Sequence, residues 1–132
     1  MTVQRVEVGI VSASGALVAF YRDVFALTEL EPRDLPTGMV HRLGNSDAVV
    51  KVMVPRDAPA PPLPPAPQFW DRSGTQYFTL WVDDLDAVIE RCERARGQLA
   101  FGPIELRPGV RTVLLHDPDG NTIEVMHDAN GS

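Results

Sequence analysis

A chain of 132 residues, 44% of them hydrophobic and 23% charged, has the size of one globular domain or of two small halves sharing a core. Its net charge of −6 argues against nucleic acid and anionic membrane surfaces, and no apolar run approaches the roughly 20 residues of a membrane span. The single cysteine, Cys92, leaves no internal disulfide and no Cys/His cluster for zinc, and the first residues lack a charged-then-apolar leader pattern, so the expectation is a reduced, cytoplasmic protein.

The first predicted module covers residues 1–56. Residues 6–11 alternate as a strand, with Val6, Val8 and Ile10 on one face and Glu7, Gly9 and Val11 on the other. A helix follows, in which Leu17, Phe20, Tyr21, Val24 and Phe25 form an apolar stripe and Ser14 is the expected N-cap. Pro32 and Pro36 mark a loop. Residues 39–43 and 48–54 then read as strands around the turn Gly44-Asn45-Ser46-Asp47. In the second strand Val50, Val52 and Val54 share a face, so Val49, Lys51 and Met53 take the other. Pairing Leu43 with Ala48 puts Val40 and Arg42 on the face of Lys51. Lys51 is the only lysine among twelve basic residues.

Residues 57–74 read as a Pro-rich linker. In extended polyproline form the run 55–67 reaches roughly 40 Å at about 3.1 Å per residue. Phe69 and Trp70 follow, either anchoring the linker or covering a pocket.

The second predicted module covers residues 75–128 and repeats the first. Residues 77–82 form a strand with Phe78, Leu80 and Val82 on one face and Tyr77, Thr79 and Trp81 on the other. Asp83 or Asp84 caps a helix bearing Leu85, Val88, Ile89 and Cys92, with Gly97 as its stop. A hairpin of residues 111–116 and 122–127 closes the module around Asp117-Pro118-Asp119-Gly120-Asn121, where Pro118 presets a turn and Gly120 or Asn121 accepts a positive φ. Its second strand places Glu124 between Ile123 and Val125, so the carboxylate points to the face opposite those two, with Met126. A mid-strand carboxylate aimed inward is expensive unless something uses it. Glu7 then corresponds to Tyr77 and Lys51 to Glu124. The predicted fold is α+β, with two βαβββ modules in tandem forming a curved mixed sheet around one cavity and helices outside.

Three stretches carry a family resemblance: Ala19-Phe20-Tyr21-Arg22-Asp23-Val24, Val82-Asp83-Asp84-Leu85-Asp86, and Asp117-Pro118-Asp119-Gly120-Asn121 through Glu124. The chain resembles the vicinal oxygen chelate superfamily, which includes glyoxalase I, extradiol dioxygenases, methylmalonyl-CoA epimerase and the bleomycin-resistance proteins. The resemblance covers most of residues 5–127. It implies a homodimer and a divalent metal held by residues at the positions of Glu7, Lys51, Tyr77 and Glu124.

Only Glu7 and Glu124 of these are ordinary ligands, and a lysine ammonium opposes a metal. At an effective dielectric of about 20, a dication about 4 Å from an ammonium is repelled by about 8 kcal/mol. The favoured expectation is therefore no cofactor and no tightly bound metal, with Glu7 and Glu124 as the ligands if one is present. On that view Glu7, Lys51, Tyr77 and Glu124 are the catalytic candidates. Glu7 or Glu124, with a raised pKa, acts as general base; Lys51 stabilises an enolate or oxyanion; and Tyr77 donates a proton or orients the substrate. The bland alternative is an ion network filling a degenerate site. Arg42, Val49, Met53, Thr79, Trp81, Leu114 and Met126 are the expected substrate-binding residues, for a small, partly hydrophobic molecule with an anionic or carbonyl group. His41, His116 and His127 are expected at the surface. The leading function is a lyase or isomerase that transfers a proton next to a carbonyl. The rivals are a non-catalytic binder of an antibiotic or metabolite, and a metal-dependent lyase or dioxygenase.

Overall fold

In the computed structural model, which describes residues 2–131, each half of the chain runs strand, helix and three further strands, an α+β arrangement of two tandem βαβββ modules. The chain divides between Pro61 and Pro62 into two compact units.

In the first unit, β1 (Glu7–Val11), β2 (Thr28–Leu35), β3 (Gly38–Gly44) and β4 (Val49–Pro55) form one sheet in the order β1-β4-β3-β2. β1 runs parallel to β4, and the other pairs are antiparallel. The alternation seen in the sequence sorts the faces. Ile10, Val50, Val52 and Leu43 are buried, as are Leu17, Phe20, Tyr21 and Val24 of helix α1 (Ala16–Phe25). Burying each such side chain contributes about 1.5–3 kcal/mol, so this stripe fixes the helix against β3 and β4. The N-cap is Gly15, not Ser14; the Ser14 hydroxyl instead accepts the Ala16 N–H at 3.3 Å.

Two expectations change in this unit. Residues 28–35, which the prolines marked as loop, form strand β2 at the sheet edge, with a register break between Leu30 and Arg33 around Pro32. An edge strand with a bulge tolerates the missing proline N–H, which is why proline does not exclude a strand there. Leu43 pairs with Val50 rather than Ala48, because Asn45–Ala48 forms a closed loop in which the Asn45 N–H donates to the Ala48 carbonyl at 2.9 Å. Gly44 is required at its entry, since a Cβ there would collide with the Ala48 carbonyl oxygen. The two-residue slip preserves parity, so every side chain keeps its predicted face.

The second unit repeats the topology with β5 (Tyr77–Trp81), β6 (Gln98–Arg107), β7 (Val110–His116) and β8 (Thr122–Asp128) in the order β5-β8-β7-β6. Helix α2 (Leu85–Arg94) buries Leu85, Val88 and Cys92, beside a sheet core of Val113, Leu115, Ile123 and Val125. Asp84 is the N-cap, its Oδ1 accepting the Ala87 N–H at 3.0 Å. At the other end Arg96, not Gly97, takes the left-handed conformation, at φ 67°, while the Gly97 N–H closes onto the Cys92 carbonyl at 2.9 Å. Strand β6 was invisible behind Gly102 and Pro103. Like β2, it lies at a sheet edge with broken register.

The hairpin between β7 and β8 is organised by Asp117, which is 3% exposed. Its Oδ1 accepts the N–H groups of Asp119 (3.0 Å) and Asn121 (2.9 Å), and its Oδ2 accepts the Asn121 side-chain amide at 2.9 Å. Gly120 supplies the positive φ of 89°.

Candidate functional site

The first unit's candidates stand on one face of its sheet. Because β1 and β4 pair in parallel with Glu7 opposite Val49 and Gly9 opposite Lys51, Glu7 and Lys51 are diagonal neighbours. Lys51 Nζ lies 3.4 Å from Glu7 Oε1, and Arg5 Nε donates to Glu7 Oε2 at 3.0 Å. Burial pushes the Glu7 carboxyl up, but hydrogen bonds from Arg5 and Lys51, with their positive charge, outweigh it and hold the group below the usual glutamate value. Glu7 is thus not the raised-pKa base that the sequence suggested. Arg5, which the sequence reading passed over, takes one of its oxygens.

Across β3, Arg42 stands directly opposite Lys51 and Val40 opposite Met53, with Val49 and Met53 half-buried beside them. Arg42 Nη1 donates to the Glu31 backbone carbonyl at 3.3 Å. At the β2 edge of this sheet a groove of about 330 Å³ opens between α1 and β2, bordered by Val18, Arg22, Leu30, His41 and Arg42. Of its two arginines, Arg22 is already bound to Asp23 and Glu29.

The second unit presents the matching face. Strand pairing sets Tyr77, Thr122, His116 and Gln98 in one row, Thr79, Glu124, Leu114 and Phe101 in the next, and Trp81, Met126, Thr112 and Ile104 in the third. Glu124 is the only carboxylate among these positions. Thr79 Oγ1 donates to its Oε1 at 2.7 Å, and no cation lies within 4.0 Å of it among the described residues. Leu114 stands directly opposite Glu124, and Met126 follows two residues on in the same strand. Tyr77 and Trp81 are exposed at 42% and 57%. Phe69 stands edge-on to the Tyr77 ring, 4.9 Å between centroids, and Trp70 stands edge-on to Phe69 at 4.9 Å. Phe69 is therefore the anchor, and Trp70 is left 65% exposed.

Phe101 and Ile104 were missed because β6 was not read as a strand. The Leu99/Phe101 alternation was the available signal, cut short by Gly102. His116 joins Glu124's face at the hairpin end, and burial pushes its pKa down against the opposing charge of Asp117. His127 turns away, its Nδ1 lying 2.9 Å from the Val82 carbonyl oxygen.

The donor chemistry does not fit a divalent metal. Both oxygens of Glu7 are engaged by cations. Lys51 carries a proton where a ligand needs a lone pair, and no three His, Cys, Asp or Glu side chains cluster among the described residues.

The family model described as Glyoxalase/Bleomycin resistance protein/Dioxygenase superfamily matches residues 10–125. Similar solved structures include a glyoxalase family protein from Bacillus cereus, at TM-score 0.77 and 12% identity, covering 97% of this chain and 96% of that one. The fosfomycin resistance protein FosX from Mesorhizobium loti has TM-score 0.66 and 17% identity, covering 98% and 93%. FosX from Listeria monocytogenes has TM-score 0.67 and 11% identity, covering 96% and 94%. No curated protein sequence matches the chain at a significant level.

Proposed function

Because the chain belongs to the Glyoxalase/Bleomycin resistance protein/Dioxygenase superfamily, we propose that it is a small-molecule enzyme of lyase or isomerase type, which moves a proton next to a carbonyl with Glu124 as proton acceptor. One observation carries this: Glu124 is half-buried and held by a hydroxyl from Thr79, with no cation within 4.0 Å among the described residues. Amid Leu114, Met126 and Trp81 the Glu124 carboxylate has an oxygen free to meet a substrate, whereas both oxygens of Glu7 are clasped by cations. The Tyr77 phenol, its ring fixed by Phe69, orients the substrate or returns the proton. The exposed rings of Trp81 and Phe101 offer apolar surface for the rest of the molecule. The chemistry proceeds without a tightly held metal, in a cytoplasmic protein that pairs with a second copy of itself.

The test begins with a thermal-shift screen of carbonyl metabolites and antibiotics, since a ligand at about 100 times its Kd adds about 2.7 kcal/mol. Hits are incubated with protein in D2O and followed by proton NMR. Deuterium should enter next to the carbonyl with wild-type protein and not with Glu124→Gln, which should still bind. The exposed aromatic face also favours a second reading, a binder without turnover; in that case no hit exchanges, and Glu124→Gln weakens affinity instead. Stoichiometric Fe, Ni, Mn or Zn in protein purified without chelators would overturn the metal-free mechanism.

A further inference from the structure

The first unit's sheet separates its charges by face. Strand pairing places Glu7, Val49, Gly44 and Thr28 in one row, Gly9, Lys51, Arg42 and Leu30 in the next, and Val11, Met53, Val40 and Arg33 in the third. These rows hold three cations, Lys51, Arg42 and Arg33, against one carboxylate, Glu7, in a protein whose net charge is −6. The acids of β2 lie on the opposite face: Glu29 pairs with Arg22 at 3.1 Å and Asp34 with Arg56 at 3.2 Å. Glu31, at the register break, meets Arg42 only through its backbone carbonyl.

Lys51 and Arg42 are direct cross-strand neighbours, which places their Cβ atoms about 5 Å apart and makes their like charges repel. Glu7 relieves Lys51 but already shares its oxygens with Arg5. Among the described residues no carboxylate lies within 4.0 Å of the guanidinium of Arg42 or Arg33. Both Arg42 and Lys51 are half-buried, so water screens them less than it would at a fully exposed site. Beside Lys51 stands Gly9, where an added Cβ would meet nothing within 4 Å, so the space over this row is open.

We propose that Arg42 and Lys51, with Gly9 as the open floor and Arg33 as an outlying cation, form a binding site for a small oxyanion group, a carboxylate or a phosphate. The planar guanidinium of Arg42 offers two parallel N–H donors that match either group, and the Lys51 ammonium adds a point charge. An oxyanion over this row replaces the cation–cation repulsion with two charge-assisted contacts. This goes beyond the proton-transfer reading and stands or falls apart from it, because Glu124 takes no part.

The experiment titrates isotope-labelled full-length protein with inorganic phosphate, and separately with sodium acetate, at constant ionic strength set by NaCl. Amide shifts are followed by heteronuclear NMR. The expected result is a saturable shift at Gly9, Arg42, Lys51 and Met53. Arg42→Gln should weaken it about tenfold, as loss of one charged hydrogen-bond donor implies, while Arg56→Gln, on the opposite face, should leave it unchanged. Saturation by acetate but not phosphate identifies a planar carboxylate as the preferred ligand group, and the reverse identifies a tetrahedral one. Shifts that stay linear with both anions, or that Arg42→Gln leaves intact, overturn the site. The Glu124→Gln variant should bind the anions like wild type, so failure of the proton-transfer reading and failure of this site are separately visible.

Discussion

Thr79 and Glu124 meet across the parallel pair β5 and β8, the threonine hydroxyl donating to the carboxylate at 2.7 Å from the residue directly beside it in register. At the equivalent place in the first unit Gly9 stands beside Lys51, and no such bond is possible. The contact holds Glu124 in one orientation without neutralising it.

Thr79→Val keeps the shape and removes the donor. Proton exchange into a ligand found by thermal shift should fall about tenfold with ligand affinity kept, and folding stability should drop by about 1 kcal/mol or less. Undiminished exchange would remove Thr79 from the site.

The lowered pKa of Glu7 makes a statement about acid stability. A depressed carboxyl contributes stability above its unfolded value, near 4.5, and loses it as pH falls through the folded value. Urea midpoints measured downward from pH 6 should therefore decline less steeply below about pH 4.5 for Glu7→Gln than for wild type. Equal slopes would show that Arg5 and Lys51 do not hold the carboxylate in solution.

Cys92 is fully buried on the inner face of α2, and burial, with the nearby charges of Glu93 and Asp117, pushes its thiol up to about 11. The thiolate is absent near neutral pH. Iodoacetamide should leave Cys92 untouched in native protein at pH 8 and label it once urea unfolds the chain. Rapid native labelling would contradict the packing of the second unit's core.

Asp117 accepts from three donors inside the β7–β8 loop, two backbone N–H groups and one side-chain amide, so removing it orphans several part-buried groups together. Asp117→Ala should cost about 2–4 kcal/mol, and Asn121→Ala, which deletes one partner, about 1 kcal/mol. Chemical denaturation of both variants checks the ranking, and the reverse order would refute Asp117 as the loop's organiser.

Alternation alone disclosed β1, β4, β5 and the closing hairpin, and with them the faces of Glu7, Lys51, Tyr77 and Glu124, because parity survives a slip of two residues such as that of Leu43 from Ala48 to Val50. What stayed hidden has physical causes. Pro32 and Gly102-Pro103 are breakers in a central strand but tolerable at an edge, and edge position belongs to the tertiary fold. Phe101 and Ile104 vanished from the site with β6. Arg5 reaches Glu7 through a long flexible side chain outside any element, which no periodicity reports. For Arg96 the sequence pointed one residue too far, to the glycine after it.

The prolines in β2 and β6 have a bearing on assembly. Each sits in an outermost strand, lacks an amide proton, and lies at or beside a place where the ladder loses step, between Leu30 and Arg33 and between Phe101 and Ile104. A second chain trying to extend either sheet through those margins finds donors missing and spacing irregular, so open-ended stacking is discouraged there. Any partner strand that adds to these sheets by backbone bonds then finds the regular margins at β1 and β5, not at β2 and β6.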